Sequence, residues 1–389
     1  MKSSYKKEIG FLISDSSDLT FLYPFIVELG AANIKILYDD RDETKSLYGN
    51  SKMDVTRKLP QDFVSKNYVS ISELLETDFK FDLLISIHPY IVHDFIKFAK
   101  SNFRLSYSIS KNSWQFGEIN SYYDLIFTQG PYSSYVIQAK YGIQCLQVGY
   151  PRYLIDSKSD SSIGSKINLN SGLPLISLFP PIGSLIVKIA EQELLKMLDS
   201  YNIVIKVHPI ETSEMKSYYR TLSEKFFVKF EDDGINLSNE SLIKLSDLVI
   251  HERGGTCFSS LYFKRNFAFF ERDIPHVGNN REIFKLDAED LLYRLVERSV
   301  SVSNLVNDVK SFLESPIKYD ERFDKISSIF ITNKSGKNFK KALRVILNSK
   351  NPLNSSYQNS KFFKKLRKSF SKIRFFPMFL RLIKLLKNL

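Results

Sequence analysis

Residues 202–209 read Asn-Ile-Val-Ile-Lys-Val-His-Pro. The short apolar, β-branched run from Asn202 to Val207 has the length and composition of a strand buried on both faces of a parallel sheet. Pro209 then stops the ladder, which leaves His208 at the strand's C-terminal end. Open α/β sheets bind ligands along that edge. About forty residues on, Ser246-Asp247-Leu248-Val249-Ile250 reads as a second buried strand, followed by His251-Glu252-Arg253-Gly254-Gly255-Thr256. A strand, a Gly-Gly turn and a helix in that order can hold a phosphate on backbone N–H groups.

Outward from this pair the chain alternates strands and helices. Strands are expected at Glu8–Ser14, Ile34–Tyr38, Phe81–Ile87, Arg104–Ile109, Asp124–Thr128 and Cys145–Val148, with helices at Leu19–Leu29 and Ser133–Tyr141. Residues 156–172 are rich in Ser, Asp, Gly and Asn and read as a linker. The alternation restarts at Pro174–Phe179 and runs through Phe267–Phe270, and helices fill most of the stretch to Leu347. The fold class that follows is α/β, with two doubly wound, Rossmann-like domains and a C-terminal helical extension. The expected boundaries are 1–155 for an acceptor domain, 156–172 for the linker, 173–349 for a nucleotide-donor domain with terminal helices, and 350–389 for a tail.

Composition agrees with a folded body. The chain has 389 residues, 43% of them hydrophobic and 14% aromatic, enough for two cored domains. Two cysteines, Cys145 and Cys257, provide no disulfide framework and read as buried thiols in a reducing cytosol. The apolar run near the N-terminus is too short for a secretory signal and reads as the first strand. No apolar stretch approaches a membrane span. Net charge is +12, of which residues 361–389 carry +10 with no acidic residue. The body is therefore nearly neutral. The tail places Phe362, Leu366, Phe370 and Ile373 on one helical face, and Met378, Phe379, Leu382, Leu386 and Leu389 on another after Pro377. Basic residues oppose both faces, the pattern of an anchor on an anionic membrane surface. A helix packed on the body is the other reading. Nucleic acid is not an expected partner, since the body has no matching basic surface.

His208 can move a proton or carry charge against a phosphate, and Lys206 sits two residues earlier on the same strand face. A lone His is more often structural, but its place at the ligand edge favours a role. In the second loop, Gly254 and Gly255 allow close backbone approach, and Thr256, Ser259 and Ser260 offer hydroxyls. A plain βα turn with a capped helix is the alternative. Glu252 either accepts ribose hydroxyls or is an exposed loop carboxylate, and Arg253 is a candidate to counter phosphate charge. His88-Pro89 ends another buried strand, with His93 close behind. Glu231-Asp232-Asp233-Gly234 is a solvated turn or a base or metal ligand, but its spacing matches no calcium loop. Walker, zinc and Gly-x-Ser-x-Gly patterns are absent from the sequence.

The order Gly149-Tyr150-Pro151-Arg152, Ile176–Pro181 (ISLFPP), Ile205–Pro209 (IKVHP), Ser246–Ile250 (SDLVI) and Phe267–Asp273 (FAFFERD) resembles the CDP-glycerol glycerophosphotransferases. These are the teichoic-acid primases and polymerases, of GT-B glycosyltransferase architecture. The resemblance covers roughly Tyr123 to Asp273. It implies that His208 matches the family's His-Pro motif, and that Gly255, Thr256, Ser259 and Ser260 match the region binding donor phosphates. It further implies a transferase at the cytoplasmic membrane face, acting between a nucleotide-linked donor and a lipid-linked or polymer acceptor. No cofactor or metal is expected. Two features depart from the family. Its His-Gly pair at the end of an N-domain strand is replaced by Arg104–Gly117 (RLSYSISKNSWQFG), so either His88 is the acceptor base or the acceptor chemistry differs. Its Asp-Tyr-Ser-Ser turn is replaced by the Gly-Gly turn, which is similar to nucleotide-sugar 2-epimerases. A 2-epimerase and a non-catalytic binding protein that kept the fold are the alternatives.

Overall fold

The computed structural model describes residues 7–13, 16–30, 34–38, 68–87, 98–110, 115–154, 169–170, 172–208, 211–230, 237–272, 287–332 and 335–348. They fall into two compact units. The first comprises the described residues of Met1–Tyr107, Ser113–Ile155 and Thr332–Leu389, the second those of Ser108–Asn112 and Asp156–Ile331. Each unit is a wholly parallel sheet with helices, so the α/β, doubly wound class read from the sequence is the observed one.

The first unit's strands are β1 (Ile9–Ile13), β2 (Ile34–Tyr38), β3 (Tyr68–Ser70), β4 (Phe81–Ser86), β5 (Ala99–Leu105), β6 (Leu125–Thr128) and β7 (Cys145–Gln147). They lie in the order β3-β2-β1-β4-β5-β6-β7. The apolar runs of β1 and β4 are buried almost throughout, as parallel strands covered on both faces require. Gly10 lies in close packing: a Cβ there would stand 2.9 Å from Leu84 Cδ1 and 3.0 Å from Leu37 Cδ1, so those side chains would have to shift. Strand β5 starts five residues before its expected position. Its sequence, Ala-Lys-Ser-Asn-Phe-Arg-Leu, buries the polar residues Ser101, Asn102 and Arg104. The Asn102 N–H donates to Asp124 Oδ2 at 2.8 Å. The Arg104 guanidinium donates to Ile87 O, Gln115 O, Gln115 Oε1 and Asn120 Oδ1. A hydropathy pattern cannot see such satisfied groups.

Helices α1 (Ser16–Leu29), α2 (Ile71–Leu75) and α3 (Pro131–Tyr141) are joined in this unit by the chain's last described helix, here α4 (Ser335–Asn348). Its Phe339, Ala342, Leu343 and Ile346 form a helical stripe inside the first unit's core. Phe339 meets the Phe25 ring edge-on at 4.7 Å between centroids. This corrects the expected boundary: residues 335–348 belong with the first core, because the partner of that stripe is α1. The linker lies mostly, and the 350–389 tail wholly, outside the described residues. Among the described residues no helix is long and apolar enough to cross a membrane.

The second unit's strands are β8 (Leu175–Phe179), β9 (Asn202–Lys206), β10 (Phe227–Lys229), β11 (Leu248–His251), β12 (Phe267–Phe270) and β13 (Ser299–Val300), ordered β10-β9-β8-β11-β12-β13. The chain winds one way from β8 to β10 and the other way from β11 to β13. The order therefore reverses between β8 and β11, whose registers pair Leu248 with Ile176 and His251 with Phe179. In sheets of this kind the crevice beyond the strand ends at such a reversal is where ligands bind. One core cluster packs Ile176, Leu178, Ile203, Ile205 and Ile250 against apolar residues of flanking helices. Val204 is absent from that cluster, which sets it and Lys206 on the opposite sheet face.

Candidate functional site

The described residues of three loops lie around the reversal at the C-terminal edge of the second sheet: 180–185 after β8, 207–208 and 211–212 after β9, and 252–255 after β11. Two carboxylates tie them together. Glu211 is buried and its oxygens accept from the Gly183 N–H at 2.9 and 3.1 Å and from the Thr212 N–H at 2.7 Å. Its own N–H donates to His208 O at 3.0 Å. The Ser184 hydroxyl donates to Glu252 Oε2. The β9 loop is thus held to the β8 loop, and the β8 loop to the β11 loop. Gly183, with φ of 70°, provides the turn that exposes its N–H to Glu211. Beneath this rim the fully buried Tyr219 hydroxyl has no hydrogen-bond partner among the described residues. Burial raises its pKa, and the charges of Glu211 and Glu252 raise it further, so it stays protonated and able to donate.

His251, the last residue of β11, is fully buried. Its Nε2 lies 2.9 Å from Ser260 Oγ and its Nδ1 3.3 Å from Thr256 Oγ1. Phe179 stacks on the ring at 5.8 Å, and Phe267 and Phe269 lie 6.0 Å away. Burial pushes its pKa down to about 3, so the ring is neutral at ordinary pH and acts as a pin between β11 and the helix Thr256–Tyr262, here α5. The hydroxyl of Ser260 is engaged on His251 inside the fold, and Ser259 is buried as well. Of the three hydroxyls expected to face donor phosphate, only Thr256 stands at the start of α5 and only partly buried.

The turn between strand and helix matches its glycines. Gly254 has φ of 110°, a conformation that L side chains rarely adopt. At Gly255, the N-cap of α5, no side chain caps the helix. A Cβ at Gly255 would lie 3.1 Å from Ser108 Oγ and 3.4 Å from Ser110 Oγ, residues of the 108–112 segment that groups with this unit. Ser108 and Ser110 share a hydrogen bond of 2.7 Å. Neither belongs to a motif of its own; their one signal in the sequence is position, within the Arg104–Gly117 segment.

Arg253 projects from the turn with 47% of its side chain exposed, and its Nη2 is 3.8 Å from Asp290 Oδ1. Lys206 ends β9, is buried, and is matched in register with Lys229 of β10. His208 lies two residues further on and is half-buried. The β9 and β11 ends are two strand spacings apart, roughly 10 Å. The structure therefore brings Lys206, His208, Glu252, Arg253, Gly254, Gly255 and Thr256 to one edge of one sheet. His88, His93, Asp232 and Asp233 lie outside the described residues. Among the described residues no three His, Cys, Asp or Glu side chains gather as a metal site.

No family model and no curated protein matches the sequence. Solved structures do match in fold. A UDP-GlcNAc 2-epimerase from Neisseria meningitidis, bound to UDP-GlcNAc, superposes with a TM-score of 0.56 at 13% identity, over 87% of this chain and 99% of that one. The S. aureus MnaA structure with UDP gives 0.53 at 12% identity, over 88% and 97%. The wall teichoic acid polymerase TagF gives 0.54 at 17% identity, over 88% and 90%. At these identities the likeness is one of architecture, and that architecture is the GT-B type, two doubly wound α/β domains in one chain.

Proposed function

We propose that this chain is a GT-B-type transferase. It takes a nucleotide-activated donor at the C-terminal edge of the second sheet and moves a glycerol-phosphate or sugar unit to a cell-envelope or capsule polysaccharide precursor. The observation that carries this reading is the rim at the β8/β11 reversal. There Glu211 and Ser184 tie three loops into one frame that presents His208, Arg253 and the Gly254-Gly255 turn. The donor diphosphate would lie along the turn, where backbone N–H groups and the exposed Arg253 meet negative charge. His208 would stabilise or protonate the leaving phosphate. Lys206 would add positive charge behind it. Glu252, whose Oε2 already accepts from Ser184, would take a ribose hydroxyl on its second oxygen. His88 remains the proposed acceptor base, and residues 361–389 the proposed anchor on an anionic inner membrane face. The transferase reading is supported by the ordered motifs from Gly149 to Asp273 and by the TagF likeness.

A second reading, nucleotide-sugar 2-epimerase, has a specific observation in its favour. The Gly-Gly turn resembles those enzymes, and the chain spans 99% of the length of one of them. Product analysis separates the two. Purified protein is incubated with CDP-glycerol and a polymer acceptor, and separately with UDP-GlcNAc, with products followed by NMR. Release of CMP with glycerol phosphate appearing on the acceptor supports the transferase. Conversion of UDP-GlcNAc to its 2-epimer, without transfer, overturns it in favour of the second reading. His208→Ala should lower either turnover by at least about a hundredfold if the imidazole moves a proton.

A further inference from the structure

Arg272 follows β12, within the Phe267–Asp273 motif, and is held at several points beside the site. Its Nη1 donates to Glu252 O, the carbonyl that starts the Gly-Gly turn. Its Nη2 donates to Glu289 O at 3.2 Å and pairs with Asp290 Oδ1 at 2.9 Å. The Tyr293 and Phe269 rings lie 5.0 and 5.7 Å from the guanidinium carbon. Only 10% of the side chain is exposed. One planar group therefore joins the β11 turn, the end of β12 and the helix Ala288–Val296, here α6. A lysine could keep the charge but not this fan of bonds, because its ammonium has no fixed fork.

Asp290 has a second guanidinium partner. The same Oδ1 that pairs with Arg272 at 2.9 Å stands 3.8 Å from Arg253 Nη2. Its inner partner is close and enclosed, and its outer partner is distant and half-exposed. A distant, exposed ion pair contributes little and is readily exchanged. Two guanidiniums share this one carboxylate. The neighbouring Glu289 is buried with Oε2 unpartnered among the described residues, and burial raises its pKa. Arg253 is the half-exposed arm of the two, next in the chain to the Gly254-Gly255 turn.

We infer that Arg272 and Asp290 are positioning residues for recognition of a nucleoside diphosphate: Arg272 fixes the Glu252–Gly255 turn, and Asp290 holds Arg253 loosely so that it can pass to a phosphate oxygen. The inference rests on the nucleotide-donor reading and adds the group that is read, the β-phosphate, and the residues that shape its site. Neither Arg272 nor Asp290 touches the ligand in this scheme.

The test compares UDP and CDP with UMP and CMP by isothermal titration on the full chain. Wild type should bind the diphosphates more tightly than the monophosphates. In Arg272→Lys the advantage of the diphosphate should fall by about tenfold, the scale of one lost charged hydrogen bond, while monophosphate affinity changes less than about threefold. A purely structural role would weaken both nucleotides together. Asp290→Asn leaves the carbonyl bonds of Arg272 in place and should show the same selective loss, so a poorly folded Arg272→Lys protein does not decide the matter. Arg253→Lys, which keeps the charge on a flexible arm, should retain part of the advantage. A wild type that binds none of the four nucleotides overturns the donor reading itself. A wild type that prefers the diphosphate, with variants that keep the full preference, overturns this inference alone.

Discussion

The buried His251 should make the second unit sensitive to mild acid. In the folded chain burial holds its pKa at about 3, whereas the unfolded chain titrates near the ordinary value of about 6.5. A group whose folded pKa is depressed binds fewer protons when folded. Its stabilisation is fully present above about pH 6.5 and is lost progressively as pH falls towards about 3. Linkage gives a loss of about 2 kcal/mol between pH 7 and pH 5 from this one imidazole. That corresponds to a fall of about 4–8 °C in the midpoint of a unit of this size. His251 bonds Thr256 and Ser260 at the start of α5, so the same loss should loosen the Gly-Gly turn. The assay is calorimetric melting from pH 8 to pH 5 in wild type and in His251→Asn, which cannot take up a proton there. The substitution lowers the melting point at every pH, so the informative quantity is the slope with pH. The second unit's transition should fall more steeply in wild type. Parallel curves would refute the reasoning and show that the ring is hydrated or already charged in the fold.

Gly254→Ala places a Cβ on a backbone at φ of 110° and should cost about 1–3 kcal/mol in strain. The cost appears as a lower melting midpoint together with weaker nucleotide binding, and an unchanged midpoint would show that the turn is not held in that conformation. Phe339→Ala removes a ring buried against Phe25 and should cost about 3–5 kcal/mol. Trypsin or hydrogen exchange should then show loosening in the first unit's core, and a loss confined to the second unit would contradict the placement of α4.

The sequence carried the two sheets well where strands were apolar and poorly where they were not. Ile34–Tyr38 and Phe267–Phe270 match the expected bounds to the residue, because short, mainly apolar runs bounded by polar turns have one economical reading. Strand β5 begins earlier than the pattern suggests because Ser101 and Asn102 are polar yet buried, so polarity there does not signal exposure. The two-residue β13 and the three-residue β3 give too little pattern to register. Helix α4 was legible as a helix but not as part of the first core, since a stripe says which face is buried and not against what.

The site divided in the same way. The glycines of the β11 turn and the place of His208 were visible, because backbone freedom and strand ends are local properties. What frames the site was not. Glu211 reaches across 28 positions to Gly183, and Arg272 across 20 to Glu252. Such contacts exist only once the loops are brought together. Ser260 shows the reverse error: a hydroxyl near a turn looked ligand-facing, and the structure gives it to His251.

The central claim is that the edge around the β8/β11 reversal is where a nucleotide sits. Hydrogen exchange of the full chain, with and without a saturating nucleoside diphosphate, tests it most directly. The account predicts slowed exchange of backbone amides at 182–185, 207–208, 211–212 and 252–256, because ligand binding suppresses local opening. Protection confined to other segments, or none at saturation with either UDP or CDP, would contradict it.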